Sequence, residues 1–334
     1  TQVKRLYDYC LPQQVILPMS SIDPVIWFFI FGVLAGVLKS ELRLPSPIYE
    51  FVSMLLLLTI GLKGGIELAQ QPFSILLPQI LTVVAMGFVL PLLAYPILKF
   101  VGRLSTVDSA SIAAHYGSVS VGTFAVAVAY MAAHNIIFEQ HMALFVVLLE
   151  VPAILVGIVI AKGWSNDTRW KAAGHEVLLG KGVMLLMGGL VIGWLSGPTG
   201  VESISPLFFG LFKGILALFM LEMGLITATQ LGSLRHYGLF LVAFGITIPL
   251  IFSVIGALTG FYLGLSIGGT AILSTLFASA SYIAVPAAMR ISLPEANPTL
   301  SLTASLGITF PFNILIGIPL YLSLAQYIHI VFSV

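Results

Sequence analysis

The chain has 334 residues, 59% of them hydrophobic and 8% charged, with a mean hydropathy of +1.08 and a formal net charge of +1 at pH 7. So little polar surface cannot coat a water-soluble domain of this size, and the composition is that of an integral membrane protein. Basic residues scattered singly exclude a nucleic-acid-binding face, and a single cysteine, Cys10, excludes an intrachain disulfide and a cysteine-built metal cluster.

Residues 1–22 carry Lys4, Arg5 and Asp8 and then a weakly apolar patch with Pro12 and Pro18, which fits an interfacial lead and neither a span nor a signal peptide. Apolar runs of membrane-crossing length follow. Span 1 is expected at 24–38 and span 2 at 48–69, with Gly61, Gly64 and Gly65 around Lys63 softening its second half. Span 3 is expected at 73–100, span 4 at 106–133, and span 5 at 141–161, interrupted at Glu150-Val151-Pro152. Residues 164–181 form the one hydrophilic loop. A second set follows: span 6 at 182–196, span 7 at 206–231, span 8 at 239–263, span 9 at 267–289 and span 10 at 300–327.

Inside span 4 lies Ala114-His115-Tyr116-Gly117-Ser118-Val119-Ser120-Val121-Gly122-Thr123, and span 9 echoes it as Phe277-Ala278-Ser279-Ala280-Ser281-Tyr282-Ile283-Ala284-Val285-Pro286. Residues two apart share a side in an extended stretch but not in a helix, so a serine pair at that spacing favours unwound backbone. Gly117 and Gly122 relax the first copy and Pro286 is expected to interrupt the second. Spans 4 and 9 are therefore read as membrane helices broken near mid-depth, which the bilayer tolerates only around a cavity. Spans 1 and 6 share a Gly-x-x-x-Gly-x-Leu pattern (Gly32, Gly36, Leu38 and Gly189, Gly193, Leu195), and Pro152 matches Pro311 at nearly the same offset. The predicted units are thus a lead at 1–22, a five-span repeat at 23–163, a loop at 164–181 and a second repeat at 182–334.

Lys39, Arg43, Lys99, Arg103, Lys162, Arg169, Lys171, Lys181, Arg235 and Arg290 all fall in or beside loops that follow odd-numbered spans. Basic loops stay in the cytoplasm, which puts both termini outside, with Lys4 and Arg5 dissenting. Five spans per repeat then gives opposite orientations: an all-α polytopic protein of ten transmembrane helices in a five-plus-five inverted repeat. In such a repeat the binding site is expected at mid-membrane, where the broken helices meet.

Around the serine pairs, Gly117, Ser118, Val119 and Ser120 and their echoes Ser279, Ala280, Ser281 and Tyr282 form the expected anion site, because the amides that start a helix attract negative charge. The bland reading is that small residues merely allow close helix packing. Glu150 follows the apolar run 144–149, where an ionised carboxylate costs on the order of 2.5–3.5 kcal/mol on insertion scales. It binds Na⁺ through its oxygens, carries a proton, or sits protonated as structure. Thr309 and Asn313, in the matching region of the second repeat, are neutral oxygen donors, and with Glu150 and Ser120 they make up the expected Na⁺ set. Lys63 and Glu67, four apart, have the spacing of a helical ion pair. His115 three residues before Ser118 invites a serine-hydrolase reading, but no acid or oxyanion signature accompanies it. His175-Glu176 opens like a zinc-protease motif, and Leu179 stands where the second histidine is required. No phosphate-binding loop is present in the sequence, so an ion gradient is the expected source of energy.

His115-Tyr116-Gly117-Ser118-Val119-Ser120, Glu150-Val151-Pro152-Ala153, Ala278 to Ala284, Pro294-Glu295-Ala296-Asn297-Pro298 and Gly317-Ile318-Pro319-Leu320-Tyr321 together resemble the sodium-dependent bicarbonate transporter family. The resemblance covers nearly the whole chain. It implies a mobile core of spans 3–5 and 8–10 against a gate domain, a homotrimer in lipid, the inner membrane of a bacterium, and Na⁺-coupled import of bicarbonate or a similar small anion. A PII-like cytoplasmic regulator is left open by the short loop after span 5. Two alternatives stand beside it: a Na⁺/H⁺ antiporter using Glu150, and an intramembrane hydrolase using Ser118 and His115.

Overall fold

The computed structural model describes residues 23–163, 174, 175 and 178–332. The expected lead at 1–22 and most of the expected loop at 164–181 lie outside the described residues. Every described element is helical: α1 (Pro24–Val37), α2 (Ser46–Leu68), α3 (Phe73–Pro96, ending in a π turn Ile97–Val101), α4 (Thr106–Gly117), α5 (Val121–Ala133), α6 (Met142–Lys162), α7 (Lys181–Val201), α8 (Phe212–Gly232), α9 (Gly238–Tyr262), α10 (Ile267–Phe277), α11 (Ala284–Ser292) and α12 (Pro298–Phe332). Helices occupy each predicted stretch. Counting α4 and α5 together, eight are long and apolar enough to cross a membrane, and α1 and α10 are apolar but shorter.

Polar residues just ahead of apolar runs start several of these helices. Asp23 accepts from the Val25 amide at 3.0 Å ahead of Pro24, Ser105 from Asp108 at 3.0 Å, Ser266 from Gly269 at 3.1 Å, and Asn297 from Thr299 at 3.1 Å. Each supplies an acceptor to a first-turn amide that has no helical partner. Two of the caps are tied to distant loops by carboxylates. Glu139, ahead of α6, accepts from the Ser266 amide at 2.7 Å, and Asp108 of α4 accepts from the Asn297 amide at 2.8 Å.

One expectation is corrected here. α6 runs unbroken through Pro152, so Glu150-Val151-Pro152 does not interrupt it. The proline removes one backbone bond, and packing against α3 and α4 holds the helix on either side. Its counterpart Pro311 lies between two π-helical stretches, Thr303–Thr309 and Asn313–Gly317, so only α12 is widened there.

Packing divides the helices into two groups. α1 lies on α8 and α2 on α7, whereas α3, α4 and α6 pack together and α9, α10 and α12 pack together. Both crossings in the first group are backbone to backbone. A Cβ on Gly32 would strike the Leu221 carbonyl, and one on Gly224 would lie 2.9 Å from the Gly32 Cα. A Cβ on Gly61 would meet the Gly189 Cα at 2.9 Å, and one on Gly193 would strike the Leu62 carbonyl. The glycines of the Gly-x-x-x-Gly-x-Leu pattern thus sit in both crossings, α1 on α8 and α7 on α2. Backbone cannot rotate away as a side chain can, so Gly189→Val is expected to cost more than the about 1–3 kcal/mol usual for overpacking. Size-exclusion chromatography of the purified protein checks this: Gly189→Val loses its monodisperse peak, while Gly188→Val, whose Cβ would meet nothing within 4 Å, keeps it.

Candidate functional site

α4 ends at Gly117 and α5 begins at Val121; α10 ends at Phe277 and α11 begins at Ala284. Between them the backbone is extended at Ser118 and Ser120, with φ/ψ of −92°/−174° and −103°/112°. The two breaks are stitched together. The Ser120 amide donates to Ser279 Oγ at 2.9 Å, and the Ser281 amide donates to the His115 carbonyl at 2.8 Å. Ser279 Oγ in turn donates to Leu276 O at 2.8 Å. Contrary to the expectation from the sequence, Pro286 does not make the second break. It lies in the first turn of α11, where its missing N–H leaves no bond unmade.

Ser120 and Ser281 serve their own helices. Ser120 Oγ accepts from the Thr123 amide at 3.0 Å and from Thr123 Oγ1 at 2.9 Å, and Ser281 Oγ accepts from the Val285 amide at 3.3 Å. Val119 and Ala280 are buried between the halves. Ser118 Oγ is buried without a partner among the described residues. The Tyr282 hydroxyl, also without a partner of good geometry, lies against Gly122, where any Cβ would strike it. Gly117 faces Pro91 of α3 with no room for a side chain.

Val121 and Ala284, which begin the two half-helices, line one cavity of about 210 Å³. Glu150 lines it too, 6% exposed, and its carboxylate makes no hydrogen bond or ion pair among the described residues. The opposite wall comes from Ser53, Leu56 and Leu57 of α2 and Phe219 of α8, and Lys181 stands at one end. One to two turns further along α2 and α5, where Lys63 faces Phe124 and Val128, only about 10 Å³ remains. There the Lys63 ammonium rests over the rings of Phe209 and Phe212, at 5.3 and 5.2 Å, and forms no ion pair with Glu67. The larger space thus lies toward half-exposed Lys181, and little remains beside Lys63.

The other expected Na⁺ donors are engaged elsewhere. Thr309 Oγ1 donates to Gly245 O at 2.7 Å and bonds the Tyr116 hydroxyl at 2.7 Å. Asn313 donates to Ala278 O at 2.8 Å and accepts from Tyr321 at 2.7 Å, bracing the second break. Ser120 adjoins the cavity through Val121. His115 and Ser118 make no hydrogen bond to each other, so the pair lacks the contact a base and a nucleophile need. Sequence reasoning missed the wall given by α2 and by Phe219. They carry no motif, and only the structure shows that a Cβ on Gly122 would approach the Phe219 ring to 2.9 Å.

A cavity between two helix groups, reaching from one side to a pair of broken helices and a lone carboxylate, is the form of a multi-pass membrane transporter rather than an enzyme. The profile of the Na⁺-dependent bicarbonate transporter superfamily matches residues 24–326, and the chain belongs to that superfamily. No curated protein matches the chain.

Proposed function

We propose that the protein imports bicarbonate, or a similar small anion, together with Na⁺ by alternating access. The observation that carries this reading is the single cavity shared by the two half-helix starts at Val121 and Ala284 and by the unpaired carboxylate of Glu150. Helix-starting amides suit an anion, and a carboxylate oxygen suits Na⁺. The anion site comprises Gly117, Ser118, Val119 and Ser120 with Ser279, Ala280, Ser281 and Tyr282. Na⁺ is held by Glu150 and Ser120, while Thr309 and Asn313, bonded elsewhere, brace the second repeat rather than ligate the ion.

The paired glycine crossings and the paired carboxylate-tied caps support a five-plus-five inverted repeat of ten spans, bounded at 23–163 and 182–334. In it α1, α2, α7 and α8 form the gate and the remaining helices form the core. With the basic loops inside a bacterial inner membrane and both termini outside, the cavity that opens near Lys181 is an inward-facing one. Lys63 on its two rings then belongs to the closed outer side. A homotrimer, and a PII-like regulator on the cytoplasmic face, complete the reading.

Energetics favour coupling. Bringing one monovalent anion into a cell costs about 2.3 kcal/mol per 100 mV of inside-negative potential, which one accompanying Na⁺ cancels. A tenfold Na⁺ gradient supplies about 1.4 kcal/mol, enough for tenfold accumulation. Labelled bicarbonate uptake into proteoliposomes tests the reading: uptake follows an inward Na⁺ gradient and ceases without one. Na⁺-dependent change of lumenal pH with no added anion identifies instead the antiporter that an unpaired Glu150 would also suit.

A further inference from the structure

α11 has a cavity on each side. Ala284 and Ala287 face the one described above, whereas Pro286, Met289 and Arg290 line a second one, of about 100 Å³. Its other walls include Ser111 and His115 of α4, and Pro294. His115 is 1% exposed, and its Nδ1 lies 2.7 Å from the Ser111 carbonyl. A carbonyl only accepts, so Nδ1 carries a proton, and in the neutral ring Nε2 is left as an acceptor. No donor among the described residues reaches Nε2. Arg290, exposed on the same cavity, makes no ion pair among the described residues and offers the paired N–H donors that match a planar, carboxylate-like anion.

One class of ligand satisfies both groups: a small planar anion that keeps one O–H. We propose that this cavity is a second binding site, taking a hydrogen-bearing oxyanion of the hydrogencarbonate type, with O–H donated to His115 Nε2 and the charged oxygens on Arg290. The choice of hydrogencarbonate rests on the transport reading; the donor and acceptor pattern does not. A ligand here bridges α4 and α11, the two helices already joined across the breaks by the Ser281 amide and the His115 carbonyl. On the orientation proposed above, Arg290 faces the cytoplasm, so the site reads the product side.

The test uses the full chain with Cys10→Ser and Pro294→Cys, so that the only thiol stands on the wall of this cavity. Maleimide labelling of the purified protein is timed in Na⁺-free buffer of constant ionic strength, with bicarbonate or with nitrate. Nitrate is planar and similar in size but has no proton to donate. Bicarbonate is expected to slow labelling saturably, by about tenfold at ten times its half-effect concentration. Nitrate has no such effect, and Arg290→Gln and His115→Phe each remove the protection. Ser120→Leu, which blocks only the transport site, retains it. No protection, equal protection by nitrate, or protection that survives Arg290→Gln overturns the site. Loss of protection in Ser120→Leu also overturns it, tracing the effect to the transport site and leaving the transport reading intact. Should His115→Phe fail to fold, Arg290→Gln, at an exposed position, decides alone.

Discussion

Replacing Ser120 by leucine is expected to abolish the proposed Na⁺-driven bicarbonate uptake in proteoliposomes while the protein still inserts in the membrane. Ser120 is 3% exposed and lies where the two breaks are stitched, its amide on Ser279 Oγ and its hydroxyl capping α5. Leucine removes the cap, a loss of about 1 kcal/mol, and sets a branched apolar group among the half-helix starts. Overpacking of about 1–3 kcal/mol that falls on the anion-occupied state lowers its population about five- to 150-fold. Ser281→Leu, at the equivalent place in the second break, gives the same loss. Ser120→Ala separates the two effects, since it removes the cap without filling space, and it keeps measurable uptake. Normal transport by either leucine variant would move the site away from the breaks.

Glu150→Gln is expected to raise the Na⁺ concentration needed for half-maximal uptake, with a much smaller change in the anion requirement at saturating Na⁺. Glutamine keeps the size and one carbonyl oxygen but removes the charge. Glu150 is buried at the cavity wall with no hydrogen-bond partner among the described residues, so no protein group is stranded by the change. Loss of even about 1.4 kcal/mol of attraction for the cation raises that concentration about tenfold. A purely structural glutamate predicts the opposite, because glutamine makes the same neutral contacts. An unchanged Na⁺ titration at normal expression rejects the coupling role.

Much of this molecule was legible in the residues because bilayers impose simple rules. Apolar length located the helices, and the serine pairs located the breaks at 118–120 and 278–283 to within a residue or two. What escaped has physical causes. Proline was given too much weight: Pro152 passes through α6 and Pro286 starts α11, since packing and a first-turn position each remove its penalty. The π-helical stretches of α12 leave no periodicity to read. The Lys63–Glu67 spacing suggested an ion pair, but the ammonium turns to Phe209 and Phe212, which arrive from a distant part of the chain. The cavity wall from α2 and α8 was invisible for a related reason. Leu56, Leu57 and Phe219 carry no chemical signature, and only tertiary packing turns them toward Val121 and Glu150.

The glycine crossings also bear on biogenesis. α1 seats on α8 and α2 on α7, so each early helix meets its close partner only once the first two helices of the second half have been made. Until then Gly32 and Gly61 present bare grooves to lipid. α3, α4 and α6 can pack on one another at once, whereas α1 and α2 wait without their partners, exposed to quality-control proteases, until α7 and α8 are made. A ribosome stalled before α7 therefore leaves a protease-sensitive fragment, and supplying the second half as a separate polypeptide protects it.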